Sequence, residues 1–241
     1  MTTWNRLEYT KLAIQSVLTQ TYTDFILHIV DNGSEDGTPE YLKTLDDPRI
    51  QITLWDKNKG LSEATNFAWI GNNSKYVGRV DNDTILPADW LARMVEAHES
   101  YDNFGFIAGM HFTQKHLMDL KPNITEHNGI RIWEKPYVGG CAFLIKREDY
   151  DRFGEIGSGV MFQSRVMGLS DYQIKFSDAG KVNGYIFPFS WVDHMEHPDS
   201  PHNIKTEEYQ NHSLRVRGVG VLDYGSSFDE SSKYYLKLNT L

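Results

Sequence analysis

A single cysteine, Cys141, stands in 241 residues, so no internal disulfide is available and nothing points to a cross-linked secreted scaffold. Long apolar runs are missing too. None approaches membrane-spanning length, and the first residues are too polar for a signal peptide. Basic residues are in deficit, 24 Lys and Arg against 33 Asp and Glu, a formal charge of -9 and a pI near 5.4. That balance argues against a phosphate-backbone footprint, so nucleic acid is not an expected partner. Internal repeats and low-complexity stretches are also absent. What remains, with 40% hydrophobic residues, is the composition of one large globular domain or of one domain with an extension.

The chain is organised around Val77 to Pro87. A short run with β character, 75–80, ends in Asp81-Asn82-Asp83, and Pro87 blocks immediate continuation. Two carboxylates at i and i+2 at a strand end can hold a hard divalent cation, which in turn holds a diphosphate. The plainer reading is an Asx-rich turn capping the strand, and the surroundings must decide.

Those surroundings alternate. Asn5 and Glu8 read as a capping box for a helix carrying Leu7, Ile14, Val17 and Leu18 to about Thr21, with no strand before it. A strand over 25–31 breaks at Asn32-Gly33, and Thr38 with Pro39 opens a short helix. A strand over 50–55, a loop over 56–60, a helix over 62–70 with Ala64, Phe67 and Ala68 inward, the acidic strand, a helix from Asp89 and a strand over 104–110 follow. Such βα alternation predicts a parallel sheet covered on both sides, with its crevice at the strand ends after Asp31 and Val80.

Past residue 110 the period loosens, and 111–137 reads as an excursion. A strand returns at Gly139 to Ile145, then a helix over 147–153, a mobile Gly157-Ser158-Gly159 loop, a helix capped by Ser170 and beginning with Asp171, and a strand over 184–187. The remainder is polar, with a helix expected near Glu207 to Val216.

Six elements in this order resemble the GT-A glycosyltransferases of family 2: Thr3-Trp4-Asn5-Arg6; Asp31 to Thr38; Asn58-Lys59-Gly60 with Asn66; Asp81-Asn82-Asp83; Gly139-Gly140-Cys141-Ala142 followed by Leu144 to Arg147; and Ser170-Asp171. Each alone is weak, and their order and spacing give them weight. The resemblance spans roughly residues 2–197. It implies an α/β, Rossmann-like, mostly parallel sheet flanked by helices. Residues 1–110 would be the nucleotide-sugar-binding half, 111–197 the acceptor-binding and catalytic half of the same domain, and 198–241 a C-terminal extension.

It also implies roles. Thr3, Asn5 and Asp31 would line the base pocket, Asp31 accepting from the base. Lys59 would reach a phosphate, although a solvated loop lysine is as good a reading. Asp81 would face the ribose or its metal-bound water, and Asp83 would ligate Mn²⁺ or Mg²⁺, hard ions suited to carboxylate and phosphate oxygens. A histidine from the C-terminal part often completes the set; His194 fits its position, with His197 in reserve. Asp171 would be the base of a single inverting displacement, or an acid that merely complements its helix dipole. Asp36 reads as a loop-forming residue. Trp133, Tyr137, Phe162 and Trp191 either stack on sugar rings or pack internally.

The implied activity moves a hexose-type sugar from a nucleoside-diphosphate sugar, a UDP-sugar on family frequency, to a hydroxyl of a glycan or lipid-linked acceptor in polysaccharide biosynthesis. A lipid-linked acceptor would bring peripheral membrane association. Departures from the pattern are the first strand, for which Met1 leaves no room, Ser170 in place of an acid, and Thr65 in place of an arginine. They keep a catalytically inactive carbohydrate- or nucleotide-binding relative in view. A sugar-phosphate nucleotidyltransferase is disfavoured because no Gly-rich, Arg-containing loop follows the first strand. Finally, Asn82-Asp83-Thr84 is a glycosylation sequon, as are Asn72-Asn73-Ser74, Asn123-Ile124-Thr125 and Asn211-His212-Ser213. A glycan on Asn82 would fill the crevice, so a cytoplasmic, bacterial setting is expected.

Overall fold

The computed structural model describes residues 1–71, 73–111, 123–157, 161–162, 165–197 and 199–206. The helix expected near Glu207 to Val216 lies outside them, as do Ser158 and Gly159 of the expected mobile loop.

Strands β1 (Thr2–Thr3), β2 (Leu27–Asp31) and β3 (Ile50–Leu54) form a parallel ladder in the order β1-β2-β3. A parallel bridge from Thr2 to Asp81 joins it to β4 (Tyr76–Val80). Strand β5 (Thr84–Ile85) follows β4. β4 opens a six-stranded sheet with β6 (Phe104–Ala108), β7 (Ile124–His127), β8 (Ile130–Glu134), β9 (Ala142–Lys146) and β12 (Val182–Phe187), ordered β4-β9-β6-β12-β8-β7. β10 (Met161–Phe162) and β11 (Arg165–Val166) pair with each other, and β13 (Asp193–His194) pairs with β5. β9 is antiparallel to both β4 and β6, β12 is parallel to β6, and β8 is antiparallel to β12 and β7. β1 to β4, β6, β12 and β7 therefore run one way, with β9 and β8 against them. This is the mostly parallel GT-A arrangement that the resemblance implies.

The helices are α1 (Leu7–Leu18), α2 (Thr38–Leu42), α3 (Leu61–Trp69), α4 (Trp90–Ser100), α5 (Arg147–Phe153) and α6 (Met167–Asp178). The sheet divides the core in two. Ile14, Ile29, Met94, Ile107 and Leu144 pack on one face, and Trp69, Phe106, Phe143, Tyr172 and Tyr185 on the other. In β9 successive residues alternate between these clusters, as a strand buried on both faces must.

Several expectations are corrected. The first strand is short rather than absent. Met1 N donates to His28 O at 2.7 Å, Val30 N to Met1 O at 2.9 Å and Asn32 N to Thr3 O at 2.8 Å, so three residues satisfy the inner edge of β2. The Asn5/Glu8 capping box does not form. Arg6 is the N-cap in the left-handed region (φ 64°), and Leu7 N is instead capped by Asp36 Oδ2 at 2.9 Å, from the loop after β2. Phe67, expected inward, is exposed and sets its edge against Trp55 with centroids 5.4 Å apart. The 111–137 excursion contains the β7–β8 hairpin, turned by Asn128 (φ 50°) and Gly129 (φ 85°), the positive-φ pair that a tight hairpin demands.

Candidate active site

The acidic strand end is held from several sides. Asp81 N donates to Cys141 O at 2.8 Å, and Thr84 N turns back to Asp81 O at 3.2 Å. Arg79 Nε lies 3.0 Å from Asp81 Oδ1 and donates to Gly140 O at 2.9 Å. A β-carbon on Gly140 would strike that guanidinium and Leu169, and one on Gly139 would strike the His111 ring, so the glycine pair is required by close packing. Asn82 turns inward as a tie, its Nδ2 donating to Thr10 Oγ1 at 3.0 Å, Asn5 O at 3.2 Å and Thr3 Oγ1 at 3.4 Å.

Asp83 enters a buried charged cluster. β13 pairs with β5 in the register His194 to Thr84, and Met195 N donates to Asp83 O at 2.8 Å. This short ladder brings His194 Nε2 to 3.6 Å from Asp83 Oδ2. Arg6 Nη1 donates to the same oxygen at 2.7 Å, and Arg6 Nη2 donates to Glu196 Oε1. One ligand atom each of Asp83, His194 and Glu196 lies within 4.8 Å of the others, and all three residues are buried. Two carboxylates and an imidazole at that spacing fit a hard or borderline divalent cation.

The structure thus brings together two residues read from the sequence, Asp83 and His194, and adds two that were not, Arg6 and Glu196. The Asp193-His194-Met195-Glu196 spacing, with the pair at i and i+2, was the available signal for Glu196. His197 lies beside the cluster, its N donating to His194 O at 2.8 Å and its Nδ1 accepting from Asp199 N at 3.1 Å. His111 adjoins both imidazoles. Burial first, then His194 and His197, lower its pKa from 6.5 to about 3, so it is neutral.

Of the other residues expected to bind nucleotide, Thr3 and Asp31 end β1 and β2, and Asn5 and Lys59 lie in the loops after β1 and β3. Asp31, fully buried, accepts from Ser34 N at 3.0 Å and Ser34 Oγ at 2.5 Å, closing the loop three residues on. Ser34 Oγ in turn receives Asn5 N at 2.7 Å, and Asn5 Oδ1 accepts from Glu35 N at 2.8 Å. Thr3 is fully buried against Thr10, with the two Oγ1 atoms 3.2 Å apart. Asp36 also accepts from Thr38 Oγ1 at 2.6 Å, which agrees with its reading as a loop former. Lys59 is exposed, its ammonium 4.2 Å from the Trp55 ring centroid and its amide bonded to Asn32 Oδ1 at 2.7 Å.

Asp171 is exposed on α6. That helix starts at Met167, not at Ser170, so Asp171 sits in its second turn and the first turn holds no acid. Leu169, two residues earlier, packs at Gly140 and so ties α6 to the rim of the acidic strand end. Asn66 joins α3 to the segment after α5 by exchanging two bonds with Ile156, Nδ2 to O at 2.8 Å and N to Oδ1 at 2.9 Å. Thr65 Oγ1 donates to Leu61 O at 2.8 Å. Trp133 is buried with Tyr185 and Phe189, which makes it core, whereas Trp191 and Tyr137 are half-buried. The Phe162 side chain lies outside the described residues.

Residues 1–154 match the family model for "Glycosyl transferase family 2". The chain belongs to that family. Among family 2 relatives, the succinoglycan biosynthesis protein ExoO of Rhizobium meliloti is 31% identical over 84 residues, 35% of this chain and 24% of that protein. Glycosyltransferase GlyA of Streptococcus pneumoniae is 29% identical over 202 residues, 78% of this chain and 27% of GlyA. The chain thus spans about a quarter of the length of each. Among solved structures, the mannosyltransferase PcManGT of Pyrobaculum calidifontis, in complex with GDP-Man and Mn²⁺, superimposes with a TM-score of 0.63. It is 18% identical, and the match covers 94% of this chain and 62% of that one. At that identity the likeness establishes the GT-A fold. Among the described residues no helix is long and apolar enough to cross a membrane.

Proposed function

We propose that this family 2 protein is a metal-dependent, inverting glycosyltransferase. It would transfer a sugar from a nucleoside-diphosphate sugar to a hydroxyl of a glycan or lipid-linked acceptor in polysaccharide biosynthesis. The observation that carries the reading is the buried Asp83, His194 and Glu196 set at the end of β4, where the crevice of an open α/β sheet lies. Asp83, Glu196 and His194 would hold Mn²⁺ or Mg²⁺, which supplies Lewis acidity toward the departing diphosphate. Asp81, held by Arg79, would face the ribose. The tied loops carrying Thr3, Asn5 and Asp31 would shape the base pocket, with Lys59 at its rim.

Asp171 would accept the proton of the acceptor hydroxyl while that oxygen bonds to the anomeric carbon. The carbon–oxygen bond to the diphosphate breaks on the opposite face, so configuration inverts. Asp171 is exposed on α6, where an acceptor hydroxyl arriving from solvent can reach it. The cytoplasmic setting is supported by Asn82, whose amide is committed to Thr3, Asn5 and Thr10, so that glycosylation there would sever these ties.

A thermal-shift screen of UDP, GDP and dTDP with and without Mn²⁺ tests the donor class, since specific binding raises apparent stability by mass action. A UDP-sugar is our first expectation, and the GDP-Man complex of the structural neighbour makes GDP the first alternative. The expected result is a shift by one diphosphate that requires Mn²⁺ and is lost in Asp83→Asn. No shift with any nucleotide would sink the donor assignment. A wild-type protein that binds nucleotide but never turns over donor, with Asp171→Asn indistinguishable from it, would point instead to an inactive binding relative.

A further inference from the structure

The guanidinium of Arg6 lies where a cation is wanted. Nη1 donates to Asp83 Oδ2 at 2.7 Å and Nη2 to Glu196 Oε1, joining the two carboxylates of the proposed ligand set. The oxygen it engages on Asp83 is also the one 3.6 Å from His194 Nε2. A cation held by Asp83 Oδ2 and His194 Nε2 would share that oxygen with the guanidinium. The side chains of Arg6, Asp83 and Glu196 are 6%, 4% and 4% exposed, so neither bond is a surface ion pair that water screens. The backbone of Arg6 adopts φ 64° and ψ 48°, a left-handed conformation rare outside glycine, and this aims the side chain inward.

With Arg6 in place the two carboxylates keep one net negative charge between them. A divalent ion added beside the guanidinium would set two cations together in a site of low effective dielectric, where like charges repel strongly. Resting on the reading of a divalent ion at Asp83, we propose that Arg6 is a built-in competitor for that ion. Without nucleotide the guanidinium holds Asp83 and Glu196 together, and the metal enters by displacing it. A guanidinium so released suits the oxygens of a nucleoside diphosphate, for which its planar fork is well matched. Cation and nucleotide then bind cooperatively, each improving the site for the other.

Mn²⁺ titrations, followed by loss of the electron paramagnetic resonance signal of the free aquo ion, test this with and without UDP or GDP. Wild-type protein should bind Mn²⁺ weakly alone and about tenfold or more tightly with the nucleotide, the ordinary scale of a coupling between sites. Arg6→Gln should bind Mn²⁺ about tenfold more tightly than wild type without nucleotide and gain less when nucleotide is added. If Arg6→Gln does not fold, Arg6→Lys, which keeps the charge but loses the two-pronged grip, carries the comparison and should fall between wild type and free access. Equal Mn²⁺ affinity in wild type and variants overturns the competition while leaving the metal reading intact. Mn²⁺ binding that survives in Asp83→Asn, or no binding by any of the proteins even with nucleotide, removes the metal reading and the competition together.

Discussion

Tyr9→Phe probes how firmly the C-terminal strap holds its two proposed ligands. Tyr9 stands on α1, 1% exposed, and its hydroxyl accepts from Ile204 N at 2.7 Å and donates to Met195 O at 3.3 Å. Met195 lies between His194 and Glu196, and its own amide is bonded to Asp83 O. One hydroxyl therefore fastens both ends of the strap to α1. Phenylalanine keeps the ring and removes both bonds. Each net hydrogen bond is worth about 1 kcal/mol, and an amide left without its acceptor costs somewhat more, so the loss should be about 2 kcal/mol. Concentrated in local opening of the strap, that is roughly a 30-fold fall in protection of the Ile204 amide, at about 1.4 kcal/mol per tenfold. Hydrogen exchange read at residue level measures it directly, with protection in β6 and β9 as the unchanged reference. An Ile204 amide that exchanges within twofold of the wild-type rate would refute the clamp.

Two further outcomes follow from burial and backbone geometry. His98, 1% exposed with Nε2 at 3.1 Å from Leu144 O, has its pKa lowered by burial from 6.5 to about 4. The unfolded chain takes up this proton near pH 6.5 and the folded protein only near pH 4, so the stabilisation is complete above pH 6.5 and is lost as pH falls through that window, by up to about 3 kcal/mol. Denaturant melts between pH 7.5 and 4.5 should show a shallower acid decline in His98→Gln, and an identical slope in the two proteins would exclude His98 as its source. Gly33 has φ 78°, and a β-carbon there would sit 2.6 Å from Lys57 Cα and 2.7 Å from Lys57 C, backbone atoms with nowhere to go. Gly33→Ala should cost about 3 kcal/mol from left-handed strain plus overpacking, lowering Tm by roughly 6–12 °C. A melt within 2 °C of wild type would show that the two loops are not packed as described.

The sequence announces what is local. Asp81-Asn82-Asp83 stands out because a β run stops at it, and Asp31 to Thr38 because Gly33, Gly37 and Pro39 punctuate it. Both lie at the strand ends where expected. β1 escapes because two residues carry no period, and its existence shows only in the ladder to β2. Arg6 and Glu196 escape for another reason. A charged residue in a sequence reads as a solvated face, and only the fold reveals that 190 positions of chain separate two partners in one buried pair. The capping of α1 fails similarly, since Asn5 and Glu8 have the local pattern while Asp36 arrives from another loop with the better geometry. The β7–β8 hairpin was legible in Asn128-Gly129, but its flanks alternate too weakly to draw attention to it.

The two-residue pairing of β5 with β13 has a consequence for how the protein is made. A chain cut at residue 154, where the family match ends, would keep the acidic strand end and the loops around Asp31 and Lys59. It would lack β12 from the middle of the sheet, and Arg6 would face Asp83 with no Glu196 to share it. The proposed cation site is thus closed by a contact of very long sequence separation, the kind whose loop-closure entropy makes it form late. Binding of Mn²⁺ during refolding would then report completion of the whole domain rather than the presence of its acidic motif.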